Sequence, residues 1–323
     1  LETGITVHVG AQIQEAGSCV MPARLFFDIV RKLPDEMVSI TVDHKQQVSI
    51  RAGAAFFQIT AMDSEDYPEL PDVNGKSGVT MPQSALKAMI SGTIFSVSEN
   101  QARPIQTGCL MEVTEDSVTM VAVDSFRLAR RTWHTENAAN HTLKFVVPAA
   151  GLKEIERILE DSDEPVTFTL GDKHILFSIG DALLVSRVLE GEFIDWRRVV
   201  PTNCGTVLTA NVAELTSSIE RVSLIISEKV KSPVRCVFGD NMADFRTANT
   251  IGSAHDTCSI AGNGGELEIG FNSRYLLDAL RVIPSEEVTL ELQNGLSPIV
   301  FTPCDKKYDF AYMVLPVRLR SNS

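Results

Sequence analysis

The chain has 323 residues, 44% hydrophobic and 22% charged, a composition for two or three folded domains and against a fibrous or disordered chain. Lys and Arg number 29 against 42 Asp and Glu, a net charge of −13 that disfavours a surface coated all over with nucleic acid but allows one confined basic face. Cys19, Cys109, Cys204, Cys236, Cys258 and Cys304 form no CxxC pair and no apolar stretch reaches a membrane span, which predicts reduced thiols, no structural zinc, no membrane association and a cytoplasmic setting.

In chain order, five strand-like segments each run into a capping residue and then a helix-period stretch. The capping residues are Pro22, Pro82, Pro148, Asn211 and Asn272, spaced by roughly 60 to 66 residues, as in a repeat with small loop insertions. Proline suits the first helical turn because its missing N–H has no partner there, and asparagine caps the same orphan donors. Leu25, Phe26, Ile29, Val30 and Leu33 follow helical spacing in the first, and Leu276, Leu277, Leu280 and Ile283 in the last.

After Pro22, Pro148 and Asn272 a short helix is expected to lead at once into a tight hairpin: 38–42 with 48–50, 166–170 with 175–179, and 288–292 with 299–301. After Pro82 and Asn211 a longer helix is expected, with the hairpin later, at 110–123 and 234–248. Alternation in these segments predicts half-buried antiparallel strands. Gly262-Asn263-Gly264-Gly265 reads as a hairpin turn and not a nucleotide loop. The units therefore alternate short, long, short, long, short, and a long unit is expected before Pro22, of which only the strand-like tail at 5–9 is present. The arithmetic implies roughly 40 to 45 residues missing ahead of it. Three similar α+β domains follow, 1–76 (incomplete), 77–202 and 203–323, each built from two helices and antiparallel sheets, with turn-rich boundaries at 74–78 and 201–203.

Catalysis finds no support. The chain has no GxxxxGK[ST] loop, no HExxH and no GxSxG. Its six histidines include no i,i+4 pair for a metal. Asp161-Ser162-Asp163-Glu164 reads as a solvated acidic loop. No cofactor, metal site or catalytic residue is expected.

Three motifs carry a family resemblance. Val123-Asp124-Ser125-Phe126-Arg127-Leu128-Ala129 resembles the TDGHRLA signature of bacterial sliding clamps, the β subunit of DNA polymerase III. Leu189-Glu190-Gly191-Glu192-Phe193-Ile194-Asp195-Trp196-Arg197-Arg198-Val199-Val200-Pro201 is similar to the family's DGxFPDYxxVxP stretch, and Ala311-Tyr312-Met313-Val314-Leu315-Pro316-Val317-Arg318-Leu319 to its xYxxxPMRL. The resemblance covers essentially the whole chain, without the family's first helix and hairpin. It implies a non-enzymatic subunit that forms half or part of a head-to-tail homodimeric ring, with helices lining a hole that holds duplex DNA. The implied partners are the replicative polymerase, the clamp loader, repair polymerases, mismatch repair proteins and ligase. Without its N-terminal segment, the same chain could instead be a monomeric peptide-binding adaptor.

By family position, Arg24 and the 100–105 loop, with Asn100, Arg103, Pro104 and Ile105, are the implied DNA contacts. Helix-borne Arg31, Lys32, Lys87, Lys153, Arg157, Arg221, Lys229, Arg274 and Arg281 could join them, or form acidic pairs on solvated faces. An implied peptide pocket, for motifs of roughly Gln-x-x-Leu-Phe character, draws Gln106, Val123, Ser125, Phe126, Arg127 and Leu128 from the middle domain. Ile194, Arg198 and Val199 come from the linker. Tyr275, Leu296, Pro298, Met313, Leu315, Pro316, Val317 and Arg318 come from the last domain. The resemblance pairs Phe57 and Ile59 with Leu224 and Ile225 across the subunit interface.

Overall fold

The computed structural model describes residues 2–319 except 35–36, 66, 72, 74–77, 137–141 and 227–231. The expected boundary at 76/77 and Lys229 lie outside the described residues. The chain forms two compact units, His8–Pro71 and, together, Glu2–Val7 with Asp72–Ser323.

The first strand, β1 (Thr3–Val7), belongs to the larger unit. The smaller unit holds α1 (Ala23–Val30) and an antiparallel sheet of β2 (Ser39–Val42), β3 (Gln47–Ala52) and β4 (Ala55–Thr60) in that order. Val48 and Ile50 of β3 alternate inward and pack with Ile29 of α1 and with Ala61. That leaves β4 at an edge.

The larger unit continues with β5 (Gly78–Pro82), α2 (Gln83–Ser91), β6 (Gly108–Val113), β7 (Ser117–Val123), β8 (Arg127–His134), β9 (Leu143–Pro148) and α3 (Ala149–Ile158). Next come β10 (Pro165–Leu170), β11 (His174–Ile179) and β12 (Ala182–Arg187). A linker with a 3-10 turn at Trp196–Arg198 leads to β13 (Thr206–Asn211), α4 (Val212–Ser223), β14 (Val234–Ala248) and β15 (Ser253–Phe271). The described chain closes with α5 (Ser273–Leu280), β16 (Glu287–Leu292), β17 (Ile299–Pro303) and β18 (Phe310–Val314).

All five expected helices begin at their capping residues. Asn211 Oδ1 accepts from the Glu214 N–H at 3.0 Å and Asn272 Oδ1 from the Arg274 N–H at 3.0 Å, the geometry of side-chain caps. The prolines sit one residue earlier than expected. Each occupies the N-cap with extended backbone, and Pro22 already accepts the Phe26 N–H at 3.0 Å. Helix length does not separate the two kinds of unit: α2 has 9 residues and α3 has 10. The long unit around α2 owes its length to the loop that follows, which carries two 3-10 turns, Ile94–Ser96 and Pro104–Thr107.

A second correction concerns the glycine-rich stretch. The 262–265 segment lies inside β15, where Asn263 faces Asp240 and the pairing with β14 shifts register on either side. Gly262 (φ 114°) and Gly265 (φ 63°) take left-handed backbone there. A Cβ on Gly264 would stand 2.2 Å from the Phe238 carbonyl oxygen. The expected hairpin at 234–248 is therefore one long strand, and its partner is β15.

Two antiparallel sheets organise this unit, in the orders β1-β12-β11-β10-β5 and β14-β15-β13-β16-β17-β18-β8-β7-β6-β9. The ten-stranded sheet runs through the expected middle and last repeats without a break, because β8 pairs with β18 from Arg127–Val314 to Arg131–Phe310. An equivalent step occurs at the other sheet, where β1 adds to the edge of β12. Period-2 alternation gives the large sheet two different faces. On one, Met111, Met120 and Val147 pack with Leu86 and Met89 of α2 and Leu152 and Ile155 of α3. Phe301, Phe310 and Tyr312 do the same with Leu215, Leu276 and Leu280 from α4 and α5. The other face shows Leu110, Val121, Val123, Leu128, Val146, Val300, Ala311 and Met313, and it is covered by the linker through Phe193, Ile194, Trp196 and Val200.

Candidate functional site

The linker covers only part of that apolar face. Where it stops, the strands continue into side chains open to solvent. Phe126 is 53% exposed, Leu315 37%, Val317 41%, Val199 42% and Leu296 78%. Backbone bonds hold the rim: the Leu315 N–H donates to the Phe126 carbonyl at 2.8 Å, and the Val317 N–H to the Gly270 carbonyl at 2.7 Å. Pro298 stands one step beyond the Ile299–Val314 pair, beside Leu315. Val123, Leu128 and Met313 are buried and form the floor, with Leu128 paired to Met313 across β8 and β18. Ile194 of the linker packs on this face, and Arg198 and Val199 follow it, exposed, at the 3-10 turn. Ser125, Pro316 and Arg318 stand at its margin, Ser125 and Arg318 exposed and Pro316 half-buried.

Tyr275 of α5 enters through its ring. It stacks on Phe126 with centroids 5.7 Å apart, while the Arg127 guanidinium lies 4.6 Å from its ring. Arg127 is held by Asp124 at 3.0 Å and by Asp278 of α5 at 2.6 Å. This joins a strand of the middle repeat to a helix of the last. Gln106 departs from its expected place. It is buried inside the middle repeat, in the 3-10 turn just before β6, where its carbonyl accepts the Ser98 N–H at 2.8 Å.

Ile105 departs as well. It is half-buried against the linker-covered core, because this apolar side chain gains more from the Leu110–Val121 face than from solvent. It therefore leaves the set of solvent-facing loop residues. Asn100, Arg103 and Pro104 remain exposed, in a loop fixed by the Asn100 side chain accepting the Ala102 N–H at 3.0 Å. Arg24 is exposed on α1. Of the nine described helix-borne cations, five have acidic partners: Arg31 with Asp28, Arg157 with Glu154, Arg221 with Asp256, Arg274 with Asp278 and Arg281 with Glu220. Among the described residues, Arg24, Lys32, Lys87 and Lys153 make no ion pair, and neither does Arg103.

Phe57 and Ile59 lie on the edge strand β4, with Phe57 open and Ile59 half-buried. Leu224 follows α4 and is 83% exposed, and Ile225 beside it is half-buried. Residues 253–259 of β15 pair only with β14, since β13 reaches no further than Ile260.

Motif reading missed two carboxylates, Glu112 beneath the linker and Asp309 beside β8. Glu112 receives Arg197 at 2.8 Å, Trp196 Nε1 at 3.2 Å and Lys144 at 3.5 Å. Asp309 receives Arg130 at 2.6 Å and His134 at 2.8 Å. Burial pushes both carboxyls up, but these cationic partners outweigh it and hold each below its usual range. No short-range signal marks either residue, because their partners come from distant segments, the linker and β9 for Glu112 and β8 for Asp309.

Sheets that extend from one repeat into the next, beside a run of exposed apolar side chains, define an α+β repeat protein. Family models of the DNA polymerase III beta subunit match along the chain: the N-terminal domain at 1–71, the central domain at 80–195 and the C-terminal domain at 197–318. The chain belongs to this family, the beta sliding clamps, and its fold is α+β with three clamp-type domains. It is 31% identical over 309 residues to the beta sliding clamp of Staphylococcus epidermidis, covering 95% of this chain and 81% of that one. A DNA polymerase III beta subunit from Eubacterium rectale superposes with TM-score 0.93 at 33% identity, covering 98% and 86% of the two chains. The DNA polymerase sliding clamp of Bacillus subtilis superposes with TM-score 0.91 at 29% identity, covering 99% and 87%.

Proposed function

We propose that this chain pairs head to tail with a second copy, encircles duplex DNA, and tethers the replicative polymerase without catalysing a reaction itself. What carries the reading is the way the sheets add across repeats. β12 takes β1 and β18 takes β8, each antiparallel, and β4 and the 253–259 part of β15 are among the edges that remain open. Unpaired strand edges are templates for a further strand. The same addition between copies closes the assembly, with Phe57 and Ile59 meeting Leu224 and Ile225. Domain limits of 1–76, 77–202 and 203–323 belong to this proposal, as does a cytoplasmic setting.

Arg24, Asn100, Arg103 and Pro104 meet phosphates loosely, helped by Lys32, Lys87 and Lys153. An overall charge of −13 disfavours adhesion elsewhere. Few contacts give a shallow salt dependence and permit sliding. The open cleft takes short peptides with Leu and Phe anchors from the polymerase, the clamp loader, repair polymerases, mismatch repair proteins and ligase. Each buried anchor contributes roughly 1.5–3 kcal/mol, which after ordering costs leaves about micromolar affinity and lets partners exchange. The test is retention on nicked circular DNA after loading by a clamp loader. Linearising the DNA should release the protein from the ends. Equal retention on linear DNA, or none on the circle, would overturn enclosure.

A further inference from the structure

Among the described residues, Glu112 is the one buried acidic side chain. It sits on β6 two residues from Leu110, so it points into the apolar face that the linker covers. A carboxylate in such a place is costly unless charged donors meet it. The donors it has come chiefly from the linker itself. Arg197 and Trp196 both reach Oε2, and the Arg197 guanidinium lies 4.2 Å over the Trp196 ring. Arg130 lies 5.9 Å from the same indole and is tied to Asp309 of the last repeat. The indole is thus held at its nitrogen and by a cation that spans the two repeats.

Trp196 opens the 3-10 turn that carries the linker side of the cleft. Its carbonyl accepts the Val199 N–H at 3.1 Å and the Val200 N–H at 3.2 Å. Ile194 lies two residues before it, and Arg198 and Val199 follow within the turn. Among the described residues Arg198 pairs only with Asp195, which caps the turn, and its side chain is 86% exposed. Ile194 packs on the linker-covered core, whereas the Arg198 and Val199 side chains stand exposed. Their placement depends on where Trp196 and Arg197 are anchored.

We propose that Glu112 is a positioning residue for peptide capture: by holding Trp196 and Arg197 it sets the linker so that Ile194, Arg198 and Val199 stand as one side of the cleft. This rests on the reading of the cleft as the peptide site. Glu112 lies beneath the linker and does not touch the peptide. A neutral amide keeps one acceptor but leaves Arg197 and Lys144 without their counter-charge, so Glu112→Gln frees the turn while keeping the side chain's volume.

The test measures a fluorescein-labelled Gln-Leu-Ser-Leu-Phe peptide by anisotropy on the full chain, with Kd and Tm read on the same samples. Glu112→Gln should raise Kd about tenfold, mostly through faster release, with Tm well above the assay temperature. In a Trp133→Phe background Trp196 is the sole tryptophan, and its emission should shift to the red in the Gln variant. Trp196→Phe, with Glu112 intact, should weaken the peptide similarly, whereas Glu154→Gln on the exposed face of α3 should not. If the unaltered chain binds the peptide and both Glu112→Gln and Trp196→Phe bind within twofold of it, the positioning role is wrong. A Kd that rises only in step with the unfolded fraction also overturns it. If the unaltered chain fails to bind, the cleft reading itself falls and takes this role with it.

Discussion

Asp278→Asn tests the seam between β8 and α5. Asp278 accepts from Arg127 at 2.6 Å, and the two side chains are 10% and 23% exposed for Arg127 and Asp278. Unit charges about 4 Å apart attract by roughly 4 kcal/mol at an effective dielectric of 20. Desolvation removes part of this, so hydrogen bonds to charged groups net about 1.5–3 kcal/mol. The amide retains an acceptor oxygen, and Arg127 keeps Asp124 at 3.0 Å. The expected loss is therefore about 1–2 kcal/mol. For a unit of this size each kcal/mol moves Tm by about 2–4 °C, which predicts a fall of about 2–8 °C in the transition of the larger unit. Calorimetry reads it directly, and a double-mutant cycle with Arg127→Met isolates the pair, with an expected coupling of about 1–2 kcal/mol. A Tm shift under about 1 °C, or a coupling near zero, would refute the claim that this pair locks strand to helix.

Other perturbations probe the edges and cores. Leu224→Asp, at a position 83% exposed in the single chain, should change monomer stability by less than about 0.5 kcal/mol. The same change should weaken self-association about tenfold or more in sedimentation. Gly264→Ala forces a Cβ to within 2.2 Å of the Phe238 carbonyl oxygen and should cost more than about 2 kcal/mol in thermal unfolding. Asp309 and Glu112 are held below their usual range, so their ionised forms add stability at pH above the unfolded carboxylate values, near ~4. That stability is lost as pH falls through the folded values. Acid titration of unfolding should show this slope, and Asp309→Asn should flatten it; an identical slope in the variant would remove Asp309 from the account.

Local signals in the chain announced the helix starts and most hairpins. Asn211 and Asn272 cap as expected because capping is a contact within three residues. The cleft residues Phe126, Leu128, Met313 and Leu315 were legible through motif resemblance, and alternation explains why Met313 is floor and Leu315 is rim. Gln106 and Ile105 were misplaced because the loop after α2 folds into two 3-10 turns that no periodicity marks. The β14–β15 ladder was obscured by a Gly-Asn-Gly-Gly run that usually breaks a strand and here bends one. Glu112 and Asp278 were invisible for another reason: Asp278 meets a partner 151 positions away, and such pairing exists only once the sheet has formed.

The unbroken ten-stranded sheet has a mechanical consequence. Two repeats sharing one set of backbone ladders behave as a single stiff plank, so neither can swing against the other without tearing β8 from β18. In the proposed ring, any gap that opens for a closed circle of DNA to enter is therefore left to weaker joints, and the seam beside Phe126 and Leu315 keeps its shape while the plank is handled.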